Sequence, residues 1–361
     1  MFATLAADYP REPRAGEPDL LGEADRRLAA GEITPDEHRD LTREFISIVL
    51  KEEELSGLAV LTDGDVAHED RLRRLVDGLG GTSTDRAVLL PDGAEVHAPR
   101  FDRAPRWLEP ITLDAWRWAE DTSDLMVKQV IIGPYTMARL ADPGGAPREV
   151  LALGLAESLN EEIRALAASG CQVIQIDEGA LTTIGDDAAE WELYGETQRR
   201  LTAGLDDTHL SLGLYRGGVH PAGHAAVLDG PYRSYLVDGL GGPDAWRFVF
   251  AVPPEIGVVI GALDAADPTR DETEVMVWAM AWAGSDERTA DRVGIASNGS
   301  LRAIGRHPAR RKIELMGEAV RIASMGPLQE VAEALDPAPL ETKMVPLREM
   351  ALAVEAARAT R

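Results

Sequence analysis

Short apolar runs recur along the chain and alternate with longer stretches of helical spacing. The runs fall at 2–6, 58–62, 128–133, 172–176, 209–214, 234–238, 257–261 and 293–297. Each is five or six residues long and mostly apolar, the pattern of parallel strands buried on both faces. Eight such runs with intervening helices predict an α/β chain folded as a (β/α)₈ TIM barrel rather than an open sheet. Pro147 opens one helix, whose stripe of Leu151, Leu155, Leu159, Ile163 and Leu166 ends at Gly170. A second long helix is expected from Pro35 to Leu55. Residues 80–112 break the alternation. There, Pro91-Asp92-Gly93 sits between Ala87–Leu90 and Ala94–His97, which predicts a β-hairpin excursion around residues 85–100. With no repeat and no low-complexity linker, residues 1–361 are expected to form one domain. A helix from Pro346 to Arg358, in a helical extension over 326–361, is expected to pack on the barrel or on a second subunit, making a homo-oligomer.

Composition narrows the partners. The chain carries 62 acidic against 37 basic residues, a formal charge of −25, and 45% of its residues are hydrophobic. That balance argues against a phosphate-binding stripe, so no nucleic-acid partner is expected. No run of about 18 apolar residues occurs, so no membrane partner is expected either. The N-terminus lacks a basic, then apolar leader, and a cytoplasmic protein is the expectation. Only four lysines occur: Lys51, Lys128, Lys312 and Lys343. The single cysteine, Cys171, excludes an internal disulfide and any cysteine-rich metal site.

In a barrel, chemistry is carried at the C-terminal ends of the strands. These ends supply Asp8, Tyr9 and Arg11; Asp63 and Asp65; Tyr135 and Thr136; Asp177 and Glu178; Tyr215 and Arg216; Asp238; and Asn298. Three of the six tyrosines are among them. His220 and His224 follow the fifth strand, but Pro221 and Gly223 make a poor helix of that loop, so a metal pair is not expected. Acid–base work suits His220 better. A mouth lined by aromatics, carboxylates and a few arginines suits a small polar ligand, and its acidic bias favours one bearing an amine.

The order of these segments resembles the cobalamin-independent methionine synthases. Val60-Leu61-Thr62-Asp63-Gly64-Asp65 is similar to their VLxxGE, and Ile132-Gly133-Pro134-Tyr135-Thr136-Met137 to GPVTM. Ile174-Gln175-Ile176-Asp177-Glu178 matches IQIDEP, with Gly179 for the proline. Thr208–Gly217 resembles the HxCRGN strand, and Ile295–Gly299 falls where the family has SPQCG. The resemblance covers about residues 2–325. It implies a TIM barrel, shared with uroporphyrinogen decarboxylase, and methyl transfer from a methylated tetrahydrofolate to a thiolate held by zinc. It also implies that Asp177 and Asp65 meet a substrate ammonium.

The departures from the family pattern concern that zinc. Where the resemblance places a histidine and two cysteines, this chain has Gly213, Tyr215 and Asn298, and only Asp238 survives as a ligand. Glycine has no donor, and tyrosine and asparagine are poor zinc ligands beside thiolate and imidazole. Zinc is therefore expected to be absent. The expected function is zinc-independent transfer of a methyl or other one-carbon group to a small acceptor, with Tyr215, Asp238, His220 and Asp177 as the catalytic set. The remaining strand-end residues would bind substrate, Arg11 and Arg216 as anion partners. A metal-free lyase, decarboxylase or rearrangement enzyme on the same barrel is the alternative, and a non-catalytic ligand-binding homologue the third reading.

Overall fold

The computed structural model describes residues 1–11, 19–269, 271–285 and 287–335. The expected C-terminal helix lies outside the described residues. Eleven strands are present among those described: β1 (Phe2–Ala3), β2 (Val60–Leu61), β3 (Thr82–Leu89), β4 (Glu95–Arg100), β5 (Met126–Val127), β6 (Gln129–Ile132), β7 (Val173–Asp177), β8 (His209–Leu214), β9 (Tyr232–Asp238), β10 (Gly257–Leu263) and β11 (Val293–Ser297). Seven of them form a curled parallel sheet in the order β1-β11-β10-β9-β8-β7-β6. β2 and β5 form a further parallel pair. A bridge from Thr4 to Val60 connects that pair to the β1 side. The Lys128 amide, which donates to the Leu61 carbonyl at 2.9 Å, ties it to the residue before β6.

The strands expected at 2–6 and 58–62 are shorter than their apolar runs, because regular pairing stops where each chain turns into the loop above. The run expected at 128–133 starts earlier and is interrupted at Lys128, whose side chain crosses the interior. β3 and β4 pair antiparallel, with Gly93 at φ +96° in the turn between them. Asp92 keeps negative φ and instead accepts the Ala94 amide at 3.0 Å.

Helices cover the outer side of the sheet. The helix Pro35–Leu55 starts on a capping box in which Thr34 and Glu37 satisfy each other's amides. The helix Arg148–Ala168 buries the expected Leu151, Leu155, Leu159, Ile163 and Leu166, with Pro147 at the cap position and Gly170 at φ +95° beyond its end. The main apolar core lies between these helices and the strands. A smaller cluster of Ala6, Tyr215, Leu236, Val259 and Ala296, with Phe2 against it, fills part of the inner side. Cys171 is buried, and burial pushes its thiol up to about 12, so it is inert.

Glu162, fully buried on the helix Arg148–Ala168, fastens the return segment from the hairpin. It accepts from Trp107 Nε1 (2.7 Å), the Ile111 amide (2.8 Å), the Thr112 amide (2.7 Å) and Thr112 Oγ1 (2.7 Å). Glu162→Ala would leave these donors unpaired and is expected to lower unfolding stability by about 3 kcal/mol, read from urea denaturation. An unchanged midpoint would show that the segment is held by other contacts.

Candidate active site at the strand ends

The turn after β2 is built from short side chains folding back on the backbone. Thr62 Oγ1 accepts the Gly64 amide (3.0 Å) and Asp63 Oδ1 accepts the Asp65 amide (2.9 Å). Gly64 and Asp65 both take positive φ, +66° and +46°. This turn leads into the short helix Arg71–Gly78, whose first residue carries the cation at the centre of the site.

The Arg71 guanidinium is buried and ringed by carboxylates from four segments. Nη1 lies 2.6 Å from Asp92 and 3.6 Å from Asp8, Nη2 lies 2.8 Å from Asp177, and Nε lies 3.7 Å from Asp65. Arg302 pairs with Asp8 from the other side at 2.6 Å, and it donates to the carbonyls of Asp65, His68 and Glu69. Burial pushes Asp65 and Asp92 each up to about 6 despite Arg71, and it raises Asp177 as well. For Asp8, burial acts the same way but is outweighed by Arg302 and Arg71, so its carboxyl falls below the ordinary value.

Asp177 also anchors the phenol of Tyr215. Tyr215 Oη donates toward Asp177 Oδ1 (2.9 Å) and the Ala6 carbonyl (3.1 Å), and it accepts from Gln175 Nε2 (3.0 Å). The same Gln175 amide nitrogen reaches Asp177 Oδ1 (2.7 Å) and the Ala6 carbonyl (2.6 Å). Burial first, then Asp177 and Asp92, raise Tyr215 far above the ordinary phenol, which keeps it protonated. Gly213 lies against this pair. A Cβ there would sit 2.4 Å from Asp177 Oδ1 and 3.1 Å from Tyr215 Oη, so a larger residue would have to displace the Asp177 carboxylate from its hydrogen bonds. Asp238, on the neighbouring strand, accepts the amides of Gly217 and Leu240, each at 3.0 Å, and burial raises it to about 6. Asn298 Oδ1 accepts the Ala265 amide at 2.9 Å. Among the described residues no group of three or more His, Cys, Asp and Glu side chains is placed to hold a metal ion.

The tip of the β3–β4 hairpin lies across this cluster. Besides the Asp92–Arg71 pair, the Asp92 carbonyl accepts the Ser300 amide (2.9 Å). A Cβ on Gly179 would meet Pro91 at 2.3 Å, and one on Gly299 would meet the Asp92 carbonyl at 2.4 Å. Both glycines therefore make room for the tip.

Of the residues expected from sequence, Asp8, Asp65, Asp177 and Tyr215 come together around Arg71. Asp63 lies beside Asp65 and raises its pKa further. Asp238 and Asn298 are hydrogen-bonded on the adjacent strand ends. Others turn elsewhere. Tyr9 Oη reaches Glu52 (3.2 Å), Tyr135 Oη reaches Glu190 (2.5 Å) and Arg11 pairs with Asp25 (2.8 Å). Glu178 accepts the amides of Tyr135 (2.9 Å) and Thr136 (2.7 Å) and the Thr136 hydroxyl (2.6 Å). Arg216 is exposed at φ +58°. His220 Nδ1 accepts the Ala222 amide at 3.3 Å and so caps a 3₁₀ turn, and His224 Nε2 contacts the Val219 carbonyl. Sequence reasoning missed Arg71, Asp92 and Arg302. The one available signal was Asp92 inside the predicted turn.

A model of the catalytic domain of cobalamin-independent synthases matches residues 16–201, just over half of the chain. The chain belongs to the cobalamin-independent synthase catalytic-domain family. The family match ends before β8, so Gly213, Tyr215, Asp238 and Asn298 all lie beyond it. A methionine synthase from Sulfurisphaera tokodaii is 27% identical over 192 residues, 53% of this chain and 55% of its own length. One from Saccharolobus solfataricus is 27% identical over 216 residues, 59% of this chain and 63% of its own length. The match thus spans less than two thirds of these relatives. In fold, the family member resembles a B12-independent methionine synthase from Shewanella sp. W3-18-1 in complex with selenomethionine, with TM-score 0.72 and 17% identity over 88% of this chain and 97% of that one. A methyltransferase from Methanosarcina mazei gives TM-score 0.57 and 14% identity over 88% and 92%.

Glu178 offers a pH test of this loop. Burial raises its carboxyl to about 7, even though three hydrogen bonds favour the charged form. Folding therefore takes up a proton there, and the stability this confers is full below the ordinary glutamate pKa and lost as pH rises through about 7. The destabilisation caused by Glu178→Gln is expected to shrink by roughly 2 kcal/mol between pH 5 and pH 8.5, measured by denaturant unfolding of both proteins. A difference that does not change with pH would place the Glu178 carboxyl near its ordinary value.

Proposed function

We propose that this chain is a methyltransferase-type enzyme on a closed (β/α)₈ barrel, with β5 and β6 acting as one strand and the β3–β4 hairpin as an excursion over the mouth. It moves a methyl or other one-carbon group without zinc. The observation that carries this reading is the contact of Asp177, Tyr215 and Gly213. The position the resemblance gives to a zinc-binding histidine has no donor, and the space beside it is taken by the Asp177 carboxylate and the Tyr215 phenol. The position given to the first cysteine holds a phenol kept neutral and already engaged. Asn298 spends its oxygen on the Ala265 amide. Asp238 alone does not make a zinc site.

Without a metal to deprotonate it, the acceptor needs a base. Asp238 suits that role, being buried with a carboxyl that burial raises to about 6. In the proposed step the methyl leaves the nitrogen of a methylated tetrahydrofolate and bonds to the acceptor. The acceptor's proton passes to Asp238, the donor nitrogen takes up a proton from solvent water as it leaves, and Asp238 then returns its proton to solvent. Tyr215 and Asp177 hold charge and geometry beside the reacting groups. Arg71 pairs with Asp92 and Asp177, and Arg302 with Asp8, so these carboxylates already have cationic partners and do not need an ammonium from the ligand. The acceptor is therefore read as a small metabolite with an acidic O–H, S–H or N–H, and an amine on it is not required.

Two measurements test the proposal. After incubation with excess zinc and desalting, elemental analysis is expected to find far less than one zinc per chain; one full equivalent would overturn the metal-free reading. Consumption of radiolabelled methyltetrahydrofolate with a panel of acceptors is expected to fall at least about 100-fold in Asp238→Asn. Turnover of a substrate with no folate present would instead favour a lyase or decarboxylase on the same barrel.

A further inference from the structure

The opposite end of the sheet, where the strands begin, contains a cavity of about 600 Å³, within the range of small-molecule sites. Barrel interiors are ordinarily filled by branched side chains. Here the inner positions at the strand starts are small, with Thr4, Ser211, Ser234 and Gly257 all lining the space. Apolar walls come from Phe2, Val60, Met126, Val173 and Val259. The rim carries exposed Arg233 and Arg292 against exposed Glu255 and Asp291, so it has no net sign.

At the inner end stands Lys128, which is 4% exposed. Its ammonium donates to the Leu5 carbonyl (2.6 Å) and to Gln175 Oε1 (2.7 Å), both neutral acceptors. A lysine ammonium has three N–H groups, and the third has no acceptor among the described residues. No described carboxylate forms an ion pair with it; Asp177 and Glu53 act on it only at longer range. A buried cation without a paired anion is costly unless something else answers its charge. Burial lowers Lys128 to about 8, so at neutral pH it still carries most of its charge.

We infer that this cavity is a binding site for a small carboxylic acid with an apolar body, its carboxylate on Lys128 and its body against the apolar walls. His209, hydrogen-bonded to Ser234 at 2.9 Å, and Ser211 supply further polar contacts along the wall. The site is separate from the strand-end cluster proposed for methyl transfer and does not depend on that reading.

The test is isothermal titration calorimetry on the full chain, without any methyl donor, using butanoate, hexanoate and octanoate, with hexan-1-ol as the neutral counterpart of hexanoate. One acid is expected to bind saturably at one per chain, and hexanoate about tenfold or more tighter than hexan-1-ol. Lys128→Met is expected to erase that preference, and Ser211→Leu, which fills the cavity and leaves Lys128 in place, to abolish binding of both. Thermal unfolding of each variant checks that it is folded. If Lys128→Met does not fold, the hexanoate–hexanol pair and Ser211→Leu decide alone. No saturable binding of any acid, equal affinity for acid and alcohol, or unchanged binding in Ser211→Leu would each overturn the inference and leave water as the occupant.

Discussion

The Arg71 guanidinium is the interaction on which the strand-end region depends. Asp8, Asp65, Asp92 and Asp177 come from four separate segments, and none of them could be buried so close to the others without a shared cation. Burial still wins over attraction at Asp65, Asp92 and Asp177, whose carboxyls all rise. The cluster is thus held by Arg71 at its centre, with Arg302 on the far side of Asp8, and by a proton inventory that the surroundings adjust. The same contact holds the hairpin: its tip reaches the mouth because Asp92 has Arg71 to meet, and because Gly179 and Gly299 leave space for it. Removing Arg71 would leave several buried carboxylates unanswered and would free the tip at once.

Much of the parallel framework was legible in the chain because strands buried on both faces leave continuous apolar runs. The stripe from Leu151 to Leu166 is likewise a local signal. The strand ends were harder to read. Asp8 and Tyr9 are neighbours in the loop that follows β1, yet their side chains part. Asp8 faces the centre, while Tyr9 faces Glu52 on the covering helix. Tyr135 stands inside the first turn of the helix Pro134–Leu140, which carries its hydroxyl outward to Glu190. Residue type at a strand end therefore marks the neighbourhood but not the direction of the side chain.

Arg71 was invisible for a different reason. Its partners are as far as 106 residues away in sequence, and the apolar spacing of Leu72, Leu75 and Val76 marks the short helix after the β2 loop without marking the arginine that opens it. Lys128 gave a partial signal, since a lysine opening an otherwise apolar strand is unusual in a chain with only four lysines. The acidic excess at the mouth was legible, but its internal counter-charge was not. A surplus of carboxylates in one place says that a cation is needed, and only the fold says whether the protein supplies it.

Gln175 has a directional side chain, and its direction is fixed. Its carbonyl oxygen faces the Lys128 ammonium, and its amide nitrogen faces Asp177 and the Tyr215 phenol. The amide dipole thus lies along the field between a buried cation and a buried anion, and turning it over would set like against like at both ends. Glutamate would lack the N–H groups, and asparagine would be a methylene too short. Whatever changes the charge at one end changes the potential felt at the other, and thermodynamic linkage makes that influence mutual. The two ends of the sheet, one with the strand-end carboxylates and one with the cavity, meet at a single side-chain amide.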